Sequence, residues 1–200
     1  MKKSLWGIPL ALMVSLSVVS AAPGEAQKKE EPSLLLEGGN AAILATRERF
    51  YISYSDEVTG GCLPKPSRLR DKLELSMRRN HLGIVTEKQG LHDTLHLSAL
   101  GFKAGRGYCA VSLTLTLESW LPVMVPYAKG RSGGDITMVP WQFIVGQYLL
   151  TGRRGSMQRR LEKVAMELGD KLYLQIARSR DEIFSKFPYI ERNFKAAKGQ

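Results

Sequence analysis

Between Cys109 and Glu118 the chain alternates: Cys109, Val111, Leu113, Leu115 and Leu117 on one phase, with Ser112, Thr114, Thr116 and Glu118 on the other. A strand sends successive side chains to opposite faces, so this segment needs a sheet with one face covered and one face wet. The cover is legible further along. From Met157 the apolar residues Leu161, Val164, Leu168, Leu172 and Ile176 recur in steps of three or four, the stripe of an amphipathic helix. A sheet that needs a cover and a helix that needs a bed predict two layers.

Cys109 shares the buried phase, where a reactive thiolate is hard to sustain. The other cysteine is Cys62, and neither lies in a CxxC redox motif. The two are read as a structural disulfide rather than as free buried thiols. Closing that loop restricts the unfolded chain by ~4 kcal/mol on the loop-entropy account.

Other segments fill in the order of elements. Leu34, Leu35 and Leu36 precede a GlyGly pair and carry no clear period. Arg47 to Ser55 reads as a strand with Phe50, Ile52 and Tyr54 on one face. SRLRDKLELSMRRN predicts a helix from near Ser67, with Leu69, Leu73 and Met77 as its stripe and an end at Asn80 to Gly83. Gly83 to Thr86 and Thr94 to Leu100 read as short strands joined by the turn KQGLHD. Such short links favour antiparallel neighbours, so a meander is expected after the first helix.

Pro122 and Pro126 mark Leu121 to Tyr127 as an edge strand or loop, and AKGRSGGD reads as a loop. ITMVPWQFIVGQYLLTG reads as one bent strand or two, with Pro140 at the irregular point. Gly169 interrupts the long helix and costs ~1 kcal/mol relative to alanine unless close packing requires it. Ser179 and Glu182 have the spacing of a capping box, predicting a bend or restart after about residue 178.

The chain opens MKKSLWGIPLALMVSLSVVSAAPGEAQ: two lysines, an apolar run from Leu5 to Val19, then small residues to Ala21 and Ala22. That order is the order of a secretory signal peptide, and the run is shorter than the ~20 residues that span a bilayer. Cleavage near Ala21 is expected, with no later transmembrane segment. Lipid anchoring is disfavoured because the first cysteine is Cys62. The charged stretch PGEAQKKEEP is too poor in apolar residues to order itself.

The formal net charge is +10, and removing Lys2 and Lys3 leaves the mature chain basic. Anionic envelope surfaces, an acidic protein partner and nucleic acid all suit such a charge, and export makes nucleic acid the least natural. Arg153, Arg154, Arg159, Arg160 and Lys163 crowd the start of the long helix, where the helix dipole already favours an anion. A second cluster, Arg68, Arg70, Lys72, Arg78 and Arg79, lies on or beside the first helix. If both helices cover the same sheet face, the clusters merge.

His81, His92 and His96 are the histidines, and a strand places His92 and His96 ~13 Å apart, too far to share a metal. The sequence has no G-x-S-x-G, no H-E-x-x-H and no P-loop spacing, and Asp181 and Glu182 point to different helix faces. Trp120, Tyr127, Trp141, Phe143 and Tyr148 gather where an apolar groove for a small ligand or lipid could form.

The expectation is an α+β two-layer domain: a mostly antiparallel sheet covered by a short helix and a long C-terminal amphipathic helix. It spans 34–190, after a signal peptide at 1–21 and a flexible leader at 22–33, and before a frayed tail at 191–200. Functionally, the reading is an exported, non-catalytic accessory or binding component of the cell envelope. Its basic helix surface meets an envelope protein or an anionic surface, with no cofactor or metal. The alternative is a periplasmic small-ligand or lipid-binding domain using the aromatic groove.

Overall fold

A computed structural model describes residues 34–87, 93–126 and 134–197. The signal peptide, the leader, His92, Tyr127 and most of the AKGRSGGD loop lie outside the described residues. The element order is α1 (Leu34–Ala45), β1 (Arg49–Val58), α2 (Ser67–Arg79), β2 (Gly83–Val85), β3 (Asp93–Lys103), β4 (Tyr108–Pro126), β5 (Gly134–Arg153), α3 (Arg154–Lys186) and α4 (Pro188–Ala197). The sequence left Leu34 to Leu36 unassigned; they open α1, which is broken at Gly39.

The strands form one mixed sheet in the order β2-β1-β3-β4-β5. From β3 to β5 it is the expected meander, with long antiparallel ladders. The β2 to β3 step departs from expectation, because β1 lies between them and is parallel to both. A parallel connection normally needs a long crossover. Here β2 has only three residues and ends beside Tyr51, while β3 begins beside Phe50, so the end of β2 and the start of β3 lie almost level along the sheet.

The alternation in β4 has the predicted consequence. Cys109, Val111, Leu113, Leu115 and Leu117 are at most 1% exposed and face the helices, as do Phe50 and Ile52 of β1 and Leu95 and Leu97 of β3. The stripe of α2, Leu69, Leu73 and Met77, and that of α3, from Met157 to Ile176, complete the same core. One face of the sheet is therefore covered by the helices, and among the described residues no helix packs on the other, open face.

Beyond Glu118, β4 leaves β3 and pairs only with β5. Pro122, Pro126 and Pro140 belong to one alternate set of that ladder, through Pro122↔Met138, Pro126↔Gly134 and Trp120↔Pro140. Proline has no N–H to donate, so this set is the one whose backbone groups point away from the partner strand. The edge reading of Pro122 and Pro126 thus holds. Strand β5 is continuous, and Pro140 does not interrupt it. Its irregularity is at Val145, skipped between Leu115↔Gly146 and Thr116↔Ile144. This bulge switches the inward phase from Trp141, Phe143 and Val145 to Gly146, Tyr148 and Leu150.

Helix α3 runs unbroken for 33 residues, ~50 Å, without the expected restart at Ser179. Ser179 continues the buried stripe that leads on to Ile183, and Glu182 pairs with Lys186 at 2.9 Å instead of closing a capping box. The helix stops at Phe187, ahead of Pro188. The tail expected to fray from residue 191 is helical to Ala197. Phe194 of α4 lies 5.6 Å from Phe184, with the Arg180 guanidinium 5.1 Å from its ring centre.

Helices α2 and α3 lie side by side and parallel. Lys65, just before α2, meets Gln158 near the start of α3, and Arg79 at the end of α2 meets Asp170. Gly169 is explained by this contact: a Cβ there would lie 2.6 Å from Ser76 Oγ and 2.9 Å from Ser76 Cβ. The disulfide between Cys62 and Cys109 is present, with Cα atoms 5.8 Å apart, and ties the loop before α2 to the start of β4.

Candidate anion-binding surface

The parallel packing of α2 and α3 brings both helix N-termini to the same end of the molecule. Neither has an acidic residue in its first turn, and neither is capped by a side chain. The helix dipoles therefore make this end electropositive before any side chain is counted. The β3–β4 turn closes onto the same place: Arg154 N–H donates to the Gly107 carbonyl at 2.8 Å, and Thr59 N–H to the Gly101 carbonyl at 3.0 Å.

The sequence grouped five basic residues at the start of α3, and the fold separates their roles. Arg160 turns back to donate to the Thr151 carbonyl at 2.6 Å, which commits it to holding α3 on β5. Lys163 pairs with Glu167 one turn along, at 3.5 Å. Arg153, Arg154 and Arg159 are exposed and make no ion pair among the described residues.

The second cluster divides in the same way. Arg78 is held by Glu74 at 2.7 Å and Arg79 by Asp170 at 2.9 Å, both at the far end of the helix pair. Arg68, near the basic end, makes a long 3.8 Å contact with Glu162. Arg70 is exposed and Lys72 half-buried beside it. The N-terminal halves of the two clusters thus lie at one end of the helix pair, with Asp71 and Glu162 among them. Sequence reasoning missed Lys103 and Arg106, which the β3–β4 turn adds to the same end. No linear pattern marked them, because they join the cluster through the turn.

The remaining candidates have structural employment. His96 sits on the open sheet face with Nδ1 3.1 Å from Ser53 Oγ and Nε2 3.1 Å from Ser55 Oγ, so both ring nitrogens are engaged. His81 adopts a left-handed backbone, φ 58°, in the turn that leaves α2. Trp141 and Phe143 stack at 5.9 Å and pack against the core, and Trp141 Nε1–H donates to Asn40 at 3.1 Å. Trp120 stands on the two-stranded extension, 45% exposed. Among the described residues Trp141 and Phe143 lie on the core phase and Trp120 on the opposite one, so these three rings do not share a groove. A surface hollow of about 470 Å³ lies elsewhere, lined by Arg68, Asp71, Lys72, Leu75 and Glu162.

One largely buried ionisable cluster joins the α1–β1 link to β3 and β4. Ser119 Oγ donates to Asp93 Oδ1 at 2.6 Å, and Arg47 reaches Asp93 Oδ2 at 3.4 Å. Ser119 is 3% exposed and Asp93 8%, so a substrate has no access to this hydroxyl. Its position fixes the end of the β3–β4 ladder. A second network centres on Asp170, which accepts from Ser76, Arg79 and Asn80 at 2.6 to 2.9 Å. Burial pushes this carboxyl up, but the three hydrogen bonds and the Arg79 charge together hold it below the usual carboxylate range.

Among the described residues, no helix is long and apolar enough to cross a membrane. No family profile and no curated protein matches the chain. Among solved structures it is similar to a minor lipoprotein from Acinetobacter baumannii, at 11% identity and a TM-score of 0.32, over 66% of this chain and 92% of that one.

Proposed function

We propose that this chain is an exported, non-catalytic accessory or binding component of the cell envelope that engages an anionic partner through its basic end. The observation that carries the reading is the convergence of Arg153, Arg154 and Arg159, free of ion pairs among the described residues, with the acid-free N-termini of α2 and α3. Guanidinium groups suit phosphate or carboxylate oxygens, and the two helix dipoles favour an anion at the same end. The leader MKKSLWGIPLALMVSLSVVSAA and the buried Cys62–Cys109 bridge support export to an oxidising compartment.

The test is elution from a polyanionic resin by increasing salt. Replacing Arg153, Arg154 and Arg159 with Gln should move elution to clearly lower salt while leaving the thermal melt in place. Arg160 is kept, because it serves the fold. A wild-type protein that flows through at low salt, or a variant that elutes with it, would remove the basic surface as the working site.

A further inference from the structure

The open face of the sheet carries apolar side chains at this same end. Leu100 and Phe102 on β3, Tyr108 on β4 and Leu149 on β5 are 60%, 59%, 50% and 74% exposed. The register makes them neighbours: Ser112 lies between Leu100 and Leu149, Ala110 between Phe102 and Thr151, and Tyr108 opposite Arg153. All occupy the phase opposite the buried Cys109 and Val111, so all face away from the helices. At ~4.8 Å per strand step, Leu100 and Leu149 stand about 10 Å apart.

Arg153 shares this face and Arg106 lies in the turn that borders it, while Arg154, its N–H held by Gly107, lays its exposed guanidinium at the rim beside Gly61. Glu57, opposite Leu100 on β1, is the acidic neighbour and sits on the side away from β5.

We propose that this end of the sheet is a docking surface for an anionic lipid bilayer. Leu100, Phe102, Tyr108 and Leu149 enter the interface while Arg153, Arg154 and Arg106 meet headgroup phosphates. The inference rests on the basic-surface reading above and gives it a partner. The four exposed apolar side chains at the basic end, with Ile144 and Trp120 farther along the same face, are by themselves too few for a stable protein interface, which buries ~800 Å² per partner. Attachment to a bilayer instead accumulates, residue by residue, from apolar insertion and from each cation near the anionic surface. Phenylalanine, tyrosine and leucine beside arginine suit that boundary, since long cationic side chains reach to the headgroups while their stems stay on apolar ground.

The experiment is flotation of the protein recovered after export with vesicles of phosphatidylglycerol and phosphatidylcholine, and with phosphatidylcholine alone. Flotation with the mixed vesicles only is expected. Arg153→Gln with Arg154→Gln should weaken it roughly thirtyfold. Phe102→Ser with Leu149→Ser, both at exposed positions, should weaken it about tenfold while leaving polyanion-resin retention unchanged. Glu57→Gln should tighten it severalfold. Failure to float with resin retention intact overturns the lipid assignment and leaves the basic-surface reading standing. Equal flotation with neutral vesicles, or by the Phe102 and Leu149 variant, also overturns it. Loss of resin retention in the wild type removes both.

Discussion

Ser76 Oγ donates to Asp170 Oδ1 at 2.6 Å, and the same hydroxyl occupies the space where a side chain at Gly169 would sit. The small residue and the polar pair are therefore one device that sets the distance between α2 and α3. Intrinsic propensity says alanine at a helix position gains ~1 kcal/mol over glycine. Here the added methyl would press on Ser76 from 2.6 to 2.9 Å and on Leu73 from 3.3 Å. We expect Gly169→Ala to lose ~1 to 2 kcal/mol net, as overpacking outweighs propensity. Gly155→Ala, with nothing within 4 Å, is the control and should be neutral or stabilising. A higher Tm for Gly169→Ala would show that the helix pair separates freely.

Asp170 gives the fold a defined response to acid. A carboxyl held below its unfolded value contributes its stability above that unfolded value and loses it as pH falls through the folded one. The advantage of wild type over Asp170→Asn should therefore be constant at neutral pH and shrink below about pH 4, the ordinary aspartate value. The carboxylate is 39% exposed, so screening keeps the difference small. Chemical denaturation of both proteins across that range measures it. A difference that grows on acidification would reverse the assigned direction.

How far the sequence reveals this molecule depends on the range of each interaction. The alternation in β4 and the stripe of α3 are local and decide the two layers directly. The phase slip at Val145 and Gly146 is also written in the chain, because Trp141 and Phe143 fall on one parity and Tyr148 and Leu150 on the other; Pro140 drew attention away from it. The insertion of β1 between β2 and β3 depends on a three-residue strand whose shortness no local pattern announces. The Ser179 to Glu182 box failed because Ser179 lies on the buried stripe, and tertiary packing overrode a weak local motif. For the arginines, residue type located the cluster. Which of them the fold consumes, Arg160 on Thr151 or Arg79 on Asp170, is set by partners 9 and 91 residues away.

The Arg47, Asp93 and Ser119 cluster should behave as a structural unit. Asp93→Ala leaves Arg47 without its anion and Ser119 without its acceptor, and should cost ~3 kcal/mol. Ser119→Ala should cost ~1 kcal/mol. Because both variants break the same 2.6 Å bond, the double variant should lose less than the two separate losses together. Additive losses in equilibrium unfolding would mean that the two side chains act independently.

The Cys62–Cys109 bridge joins stability to the basic end. Cys62→Ser and Cys109→Ser break the same bond and should lose the same stability, ~2 to 4 kcal/mol, with no further loss in the double variant. The bridge also fastens the loop before α2 to the β4 strand whose turn receives Arg154 N–H. Reduction should therefore loosen the relation between the α2 N-terminus and the β3–β4 turn before it disturbs the far end, where Arg79 and Asp170 hold the helices together. Hydrogen exchange on oxidised and reduced protein resolves this. Faster exchange confined to residues 60–70 and 101–110 is the expected result. Uniform acceleration would mean that the bridge supports the whole core and has no special hold on the basic end.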